Sequence, residues 1–505
     1  MRGAVAWSVS VAGLTGHPRK VTAEVTPGLP SLTVTGQLDD QVPACLDRVR
    51  TAITASVQDW PQARVTLTMS PPAGSVIDGM DDLAVAVAVL AADAPATISA
   101  SRLAGVVLLG RLAPDGTVRA VRGILPAVLA ARDHGHTTVI VPRESSTEAA
   151  LASGITVLGA DHLAAVLAWL SGADDALSSP VAVAVPPEFT GVDLSDIRGH
   201  FRARWALEVA AAGGHHLRLI GPPTAGLGAL ARRLPGLLPR LTETESLQVR
   251  AVASLTGLLP EGPLAPLSAR PYVEVHHSAS ARALSGSAAT ARPGALARAH
   301  LGVLHLESYP ELHDRTIEAL RVALDDGEVV VANRDSLLRL PCDTVAVFTS
   351  AECLCPATQD TVCACPAAAK RRHKERLHTV LAGRVDITVR EDPDTGRGFG
   401  DDSRESSAEV RARVSAARAA AVRRWREHGY TSNARVPAPL LRRQFPLSPK
   451  QAAPLEAALR LGLITRRSAE GTLAVAVTIA DLRGAENPST HDIVEALHLR
   501  GSDTP

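Results

Sequence analysis

Between residue 193 and about residue 390, short apolar strands alternate with helical stretches, and this alternation constrains the chain more than any other feature. The clearest strands are 217–220, 303–306 and 345–348. Strands of this length separated by helices predict βαβ units around a parallel sheet. The first strand runs directly into Gly221-Pro222-Pro223-Thr224-Ala225-Gly226-Leu227-Gly228 and then into a helical pattern. Strand, glycine-bearing turn and helix, in that order, form the context of a phosphate-binding loop: turn N–H groups and the helix N-terminus both face an anion.

The remaining segments flank this core. With 505 residues the chain exceeds one hydrophobic core, and two to four domains are expected. Residues 1–172 read as a mixed α/β domain, with strands at 21–25, 65–69 and 137–141 and helical spacing at 81–92 and 124–131. Residues 173–192 are rich in Pro, Ser and small side chains and read as a linker. An acidic, glycine-containing loop spans 391–405, and 406–505 reads as helical, ending in a helix capped by Ser489 or Thr490 and stopped at Gly501. The fold class is therefore α/β multidomain with a helical C-terminal region. Aromatic residues are only 3%, so Ala, Val and Leu must build the cores.

Formal net charge is zero, which argues against a dedicated DNA binder and leaves only local patches for nucleic acid. The start, Met1-Arg2-Gly3-Ala4-Val5, has no signal pattern, and the longest apolar run, 83–92, is too short to span a bilayer. A cytoplasmic protein without membrane partners is expected. Four of the six cysteines form two C-x-C pairs, a metal or structural usage rather than a secreted disulfide framework.

Several segments together resemble the magnesium-chelatase-like AAA+ proteins of the ComM/YifB family. They are Asp193-Leu194-Ser195-Asp196-Ile197-Arg198-Gly199-His200, Ala206-Leu207-Glu208-Val209, Leu219-Ile220-Gly221-Pro222-Pro223, Arg292-Pro293-Gly294, Arg384-Val385-Asp386, Ser406-Ser407-Ala408-Glu409 and Thr478-Ile479-Ala480-Asp481-Leu482. Gly28-Leu29-Pro30 and Arg48-Val49-Arg50-Thr51-Ala52-Ile53 carry the likeness into the N-terminal domain. The resemblance implies a Lon-protease C-terminal-like α/β domain at 1–172, an AAA+ P-loop core at 193–390 and a helical chelatase-type domain at 406–505. It also implies an ATP- and Mg²⁺-using, ring-forming protein, with some members promoting DNA branch migration during transformation.

Against the family pattern the ATP motifs are degenerate. Leu227 stands at the lysine that should clamp the β/γ-phosphates, and Gly228 at the hydroxyl that should hold Mg²⁺. Thr224 replaces a glycine, which suggests an altered turn. No lysine lies between Lys20 and Lys370, and Arg232 and Arg233 come too late on the helix to substitute. In the second nucleotide motif Glu307 could hold a metal water, but Ser308 has no carboxylate to polarise the attacking water. The polar sensor position reads Ala351, and the expected C-terminal arginines read Gly471, Ala474 and Val477. Arg384, which the family pattern places near a subunit boundary, is retained. Phosphoryl transfer is almost all positioning and electrostatics, so the reading is little or no hydrolysis and loss of ATP/Mg as working cofactors. The chain is expected to be a silent scaffold or regulatory subunit that binds itself, an intact family member or DNA. The alternatives are an active ComM-type branch-migration motor with unorthodox residues and, more weakly, a magnesium-chelatase subunit, against which the N-terminal domain argues.

Cys353, Cys355, Cys363 and Cys365 supply four thiols within thirteen positions, enough for a tetrahedral structural Zn²⁺ site, although C-x-C is a tight spacing. The alternative is four reduced thiols in a loop. In the N-terminal domain 78–83 contains no serine nucleophile, and Leu125 falls at the position of an activating lysine, so proteolysis is not expected. The basic run 370–376 reads as a solvated helix face before it reads as a DNA contact.

Overall fold

A computed structural model describes residues 2–35, 42–70, 77–180, 192–257, 259, 267–333, 337–353, 355, 363–381, 383–391 and 405–501. Its centre is a five-stranded, all-parallel sheet in the order Tyr272–Val275, Val303–Glu307, Val345–Ser350, Leu217–Ile220, Ile387–Arg390. The expected strands at 217, 303 and 345 are thus neighbours in one sheet. Both faces are covered, which is why these strands read as apolar runs rather than alternating ones. On one face, helices Phe201–Gly213, Leu227–Leu237, Ser407–Trp425, Arg466–Leu482 and Thr490–Arg500 share a single apolar cluster with Leu217, Leu219, Val303 and Val347. On the other, Asp314–Asp326 and Ala367–Thr379 pack through Leu320 and Leu377 against Ile220, Leu304 and Phe348. The C-terminal helices therefore complete the core of the sheet.

The N-terminal residues form a mixed seven-stranded sheet in the order Ser31–Thr35, Arg64–Ser70, Thr15–Thr26, Arg2–Ala12, Val106–Leu108, Thr138–Pro142, Thr156–Ala160. Helices Val42–Ser56 and Asp82–Asp93 cover one face, and Ile124–Asp133 the other. This second face does not end at the sheet. Ala251, Val252 and Leu255 of helix Glu243–Thr256 and Leu338 and Leu340 of strand Leu337–Pro341 join the same cluster. Arg122 donates across to the carbonyls of Leu255 and Thr290 at 3.2 and 3.1 Å. The two sheets are thus joined by shared apolar packing. Of the expected linker, residues 173–180 stay attached, with Ser178 and Gly159 exchanging backbone hydrogen bonds of 3.1 and 2.7 Å. Residues 181–191 and 392–404, most of the expected linker and acidic loop, lie outside the described residues.

Two histidines close the amino ends of the central strands. His216 Nδ1 accepts the Ala346 N–H at 3.1 Å, and His300 Nδ1 accepts the Asp343 N–H at 3.1 Å. Burial pushes each down to about 4, with Arg435 adding to the effect at His216 and Arg270 at His300. A folded value below the unfolded 6.5 means that the unfolded chain takes up protons the folded one refuses. The stabilisation is complete above pH 6.5 and drains as pH falls toward 4, by about 3 kcal/mol per histidine at most. The urea midpoint should drop steeply between pH 6.5 and 5, above the range of ordinary carboxylates. His300→Gln, which keeps an acceptor for Asp343 N–H, should flatten the curve. A midpoint constant from pH 7.5 to 5 contradicts the assignment.

Candidate functional site

The loop at 221–228 leaves the carboxyl end of the strand Leu217–Ile220, which lies between strands 345–350 and 387–390 while the next strand in sequence, 272–275, sits at the far edge. Such a change in strand order opens a crevice at the carboxyl edge, where α/β sheets bind ligands. The backbone builds most of a phosphate cradle. Gly221 N–H is tied to the Ser350 carbonyl at 3.1 Å, and a Cβ at Gly221 would approach the Glu391 carbonyl to 2.7 Å, so glycine is required there. Gly226 adopts φ 62° and caps helix Leu227–Leu237. Thr224 avoids positive φ, so the replacement of glycine there does not strain the turn that Gly226 supplies. The N–H groups of Thr224, Gly226, Leu227 and Gly228 take no partner among the described residues. Pro222 and Pro223 have no N–H to offer.

The side chains differ from the backbone in what they offer an anion. Leu227, at the lysine position, is 8% exposed and belongs to the apolar cluster beneath the loop. Gly228 faces His305, whose Cε1 lies 3.8 Å from where a Cβ would stand. Arg232 is engaged by Glu274 at 3.0 Å, and Arg233 by the Asp193 carbonyl at 3.2 Å and Asp196 at 3.4 Å. Neither arginine is free to serve the loop.

Strand register brings the second motif to the same edge, since Glu307 pairs with Thr349 and Ile220 with Ser350. Glu307 is exposed at the strand end. Ser308 sits at φ 49°, a left-handed conformation that costs a non-glycine residue about 1 kcal/mol. Ala351 follows at the neighbouring strand end, and its carbonyl accepts from His373 at 3.0 Å. Gly471, Ala474 and Val477 lie on helix Arg466–Leu482. Ala474 and Val477 turn into a separate cluster with Trp425 and Phe445, and a Cβ at Gly471 would meet Arg500 at 2.6 Å. Arg384 forms a forked ion pair with Asp325 of its own chain at 2.6–3.1 Å.

One buried polar cluster has no counterpart in the reading of the sequence. His305, fully buried on the strand 303–307, bonds Tyr272 Oη at 2.7 Å and Thr349 Oγ1 at 2.8 Å, and burial pushes it below the usual histidine range. The sequence signal was available: a histidine interrupts the apolar run Val303-Leu304-His305-Leu306.

The cysteines follow directly from this edge. Cys353 Sγ lies 3.3 Å from Cys363 Sγ and 3.7 Å from Cys355 Sγ, Cys355 and Cys363 are 3.2 Å apart, and the Cys365 thiol belongs to the same cluster, within 4.8 Å of the others. None is in a disulfide. Donation from the Cys365 backbone N–H and then from the Cys355 and Cys353 thiols draws Cys363 down to about 6. Sharing protons with Cys353, Cys355 and Cys363 drives Cys365 up to about 12. The segment 356–362 between the pairs lies outside the described residues.

Elsewhere, Asp78 and Asp82 pair with Arg48 and Asp81 with Arg19, while Leu125 is fully buried. On the basic helix Ala367–Thr379, His373 and Leu377 face the core. Arg376 binds the carbonyls of Pro310 and Leu312, leaving Arg371 and Arg372 on the exposed face. No helix among the described residues is long and apolar enough to cross a membrane.

Comparison with known proteins agrees with this architecture. Residues 193–396 match the family described as magnesium chelatase, subunit ChlI, residues 404–500 its C-terminal family, and residues 21–145 the family described as subunit ChlI of Mg-chelatase. An uncharacterised protein of Mycobacterium tuberculosis is 42% identical over 98% of both chains. YifB of Escherichia coli is 34% identical over 97% of this chain and 96% of its own. Competence protein ComM of Haemophilus influenzae is 31% identical over 98% and 97%. With its parallel sheet, its loop at the carboxyl edge and full-length likeness to YifB and ComM, the chain belongs to the magnesium-chelatase-like AAA+ family of ComM and YifB.

Proposed function

We propose that this chain is a catalytically silent ComM/YifB-type AAA+ protein that acts as a scaffold or regulatory subunit. The observation that carries the proposal is Leu227 packed into the apolar cluster under an otherwise well-formed phosphate loop. A lysine there would reach the phosphates; a buried leucine gives the helix its packing and the anion nothing. Gly228 and Ser308 remove the Mg²⁺ hydroxyl and the carboxylate that orients water. Such a scaffold would work near DNA processing, in the cytoplasm, as a homo-oligomer or in mixed rings with an intact family member, a reading supported by the full-length likeness to ComM. The N-terminal unit would serve as a Lon-like structural domain, since Leu125 is buried where a lysine would be needed. The four clustered sulfurs support a structural Zn²⁺ site.

Nucleotide binding to the purified full-length protein tests the proposal. Fluorescent ATP should show no saturable, Mg²⁺-dependent binding. Tight binding coupled to turnover would establish the motor reading instead, and the unpartnered N–H groups of the loop are what that reading rests on.

A further inference from the structure

A cavity of about 430 Å³ lies at the opposite edge of the central sheet from the phosphate loop. Its walls include Gly214, Gly302 and Thr344, each just before a central strand, with helix Ser407–Trp425 and residues 431–435 closing the far side. Ligands of the AAA+ reaction belong to the carboxyl ends of the strands; this cavity is at the amino ends.

Its charge is unbalanced. Arg240, Arg270, Arg418 and Arg435 line it, against the carboxylates of Glu245 and Asp343. Arg270 is spent on Glu245 at 3.2 Å and on the carbonyls of Pro239 and Leu301, and Arg435 on Asp343 at 3.0 Å and the Leu324 carbonyl. Arg418 uses only Nε, which donates to the Ala211 carbonyl at 2.9 Å. Its two terminal nitrogens have no partner among the described residues. Arg240 is exposed at the rim and makes no ion pair among the described residues. Gly214 keeps the floor clear: at φ 74°, a Cβ there would sit 3.5 Å from Arg418 Nη2 and 3.0 Å from Ser432 Oγ. Burial and the nearby Arg270 push the Arg418 guanidinium down to about 10, so its charge is poorly compensated as it stands. A guanidinium fork left open toward a cavity is suited to an oxyanion, which it grips through two parallel hydrogen bonds.

We propose that this cavity is a binding site for a small phosphate- or carboxylate-bearing molecule, with the Arg418 fork as its anchor and Arg240 closing over it. The volume suits a compact metabolite. The concave, partly apolar lining of Leu238, Leu301, Val345 and Val422 suits such a molecule better than a nucleic-acid backbone, which needs an extended track.

Inorganic phosphate, pyrophosphate and citrate, each titrated into the full-length protein at constant ionic strength, should raise the melting temperature saturably. Arg418→Gln should weaken the response at least tenfold. Arg240→Glu, a rim substitution without structural contacts, should weaken it about as much and decides the matter alone if Arg418→Gln does not fold. Gly228→Asp places a carboxylate at the phosphate loop and should leave the response intact. The proposal is overturned if the response survives Arg240→Glu, if Gly228→Asp abolishes it, or if chloride reproduces it. It is equally overturned if only DNA binds and none of the three small anions does. Because Arg240 and Arg418 lie away from the loop and Gly228→Asp perturbs only the loop, failure here leaves the silent-ATPase reading untouched, and the reverse holds as well.

Discussion

Purified protein incubated with ATP and Mg²⁺ should release no phosphate above background, with or without single- or double-stranded DNA. The barrier in phosphoryl transfer is lowered by placing charge around the transferring group, and removal of one such element commonly costs 10²–10³-fold or more in rate. On the proposed reading Leu227, Gly228 and Ser308 stand in place of the lysine clamp, the Mg²⁺ hydroxyl and the carboxylate, so the losses should compound and turnover should fall below detection. Leu227→Lys with Gly228→Thr should restore at most weak, Mg²⁺-dependent nucleotide binding. The backbone cradle is in place, and the space next to Gly228 accepts a Cβ at 3.8 Å from His305. The lysine brings a cost, because it removes an apolar side chain from the cluster under the loop. Burial of a leucine side chain is worth about 2 kcal/mol, so a drop in melting temperature should accompany the gain. Hydrolysis should still require Ser308→Glu. Efficient hydrolysis by the double variant, or turnover by the unaltered protein that disappears when Gly226 is altered, would show that the losses are compensated.

How far this site could be read from sequence depends on which physics each part obeys. The strands at 217–220, 303–307 and 345–350 are legible because two-sided burial demands continuous apolar runs, and their parallel pairing follows from the helices between them. The loop is legible because Gly221 and Gly226 mark a close backbone approach and a positive φ. The expectation of a disturbed turn at Thr224 was misplaced: the left-handed residue is Gly226, two positions on, so the threonine never has to adopt a positive φ. His305 escaped because its partners, Tyr272 and Thr349, come from two other strands and are brought together only by strand order. The retained Arg384 reads as a boundary residue in sequence, yet Asp325, fifty-nine positions earlier, holds it within its own chain. The arginine cavity was invisible for the same reason, since Arg240, Arg270, Arg418 and Arg435 are scattered over almost two hundred positions. Short-range pattern reveals elements; long-range pairing makes sites.

The cysteine centre should bind one Zn²⁺ per chain, and its loss should destabilise the segment from Cys353 to Cys365. A tetrahedral Zn²⁺ with Zn–S distances of about 2.3 Å requires S–S separations of about 3.7 Å. The contacts among Cys353, Cys355 and Cys363, at 3.2, 3.3 and 3.7 Å, already approach that figure, with all four sulfurs inside 4.8 Å. Thiols have little reason to crowd this closely for packing alone, because a thiol is a weak hydrogen-bond donor and acceptor. The downward displacement of Cys363 has the sense a metal needs, since the thiolate is the ligand. Protein purified under reducing conditions without added metal should contain close to one equivalent of zinc. Chelation should expose four titratable thiols and make the loop susceptible to protease. Cys353→Ser and Cys363→Ser should each lose most of the zinc. Because the free energy of binding a structural metal is largely folding free energy, each should also lower stability by several kcal/mol locally, without altering the strand Val345–Ser350 that precedes the site. The phosphate loop is built from other residues, so anion binding elsewhere should be unaffected. Less than a tenth of an equivalent of zinc, together with four freely reactive thiols in the untreated protein, would leave a reduced cysteine loop and no metal centre.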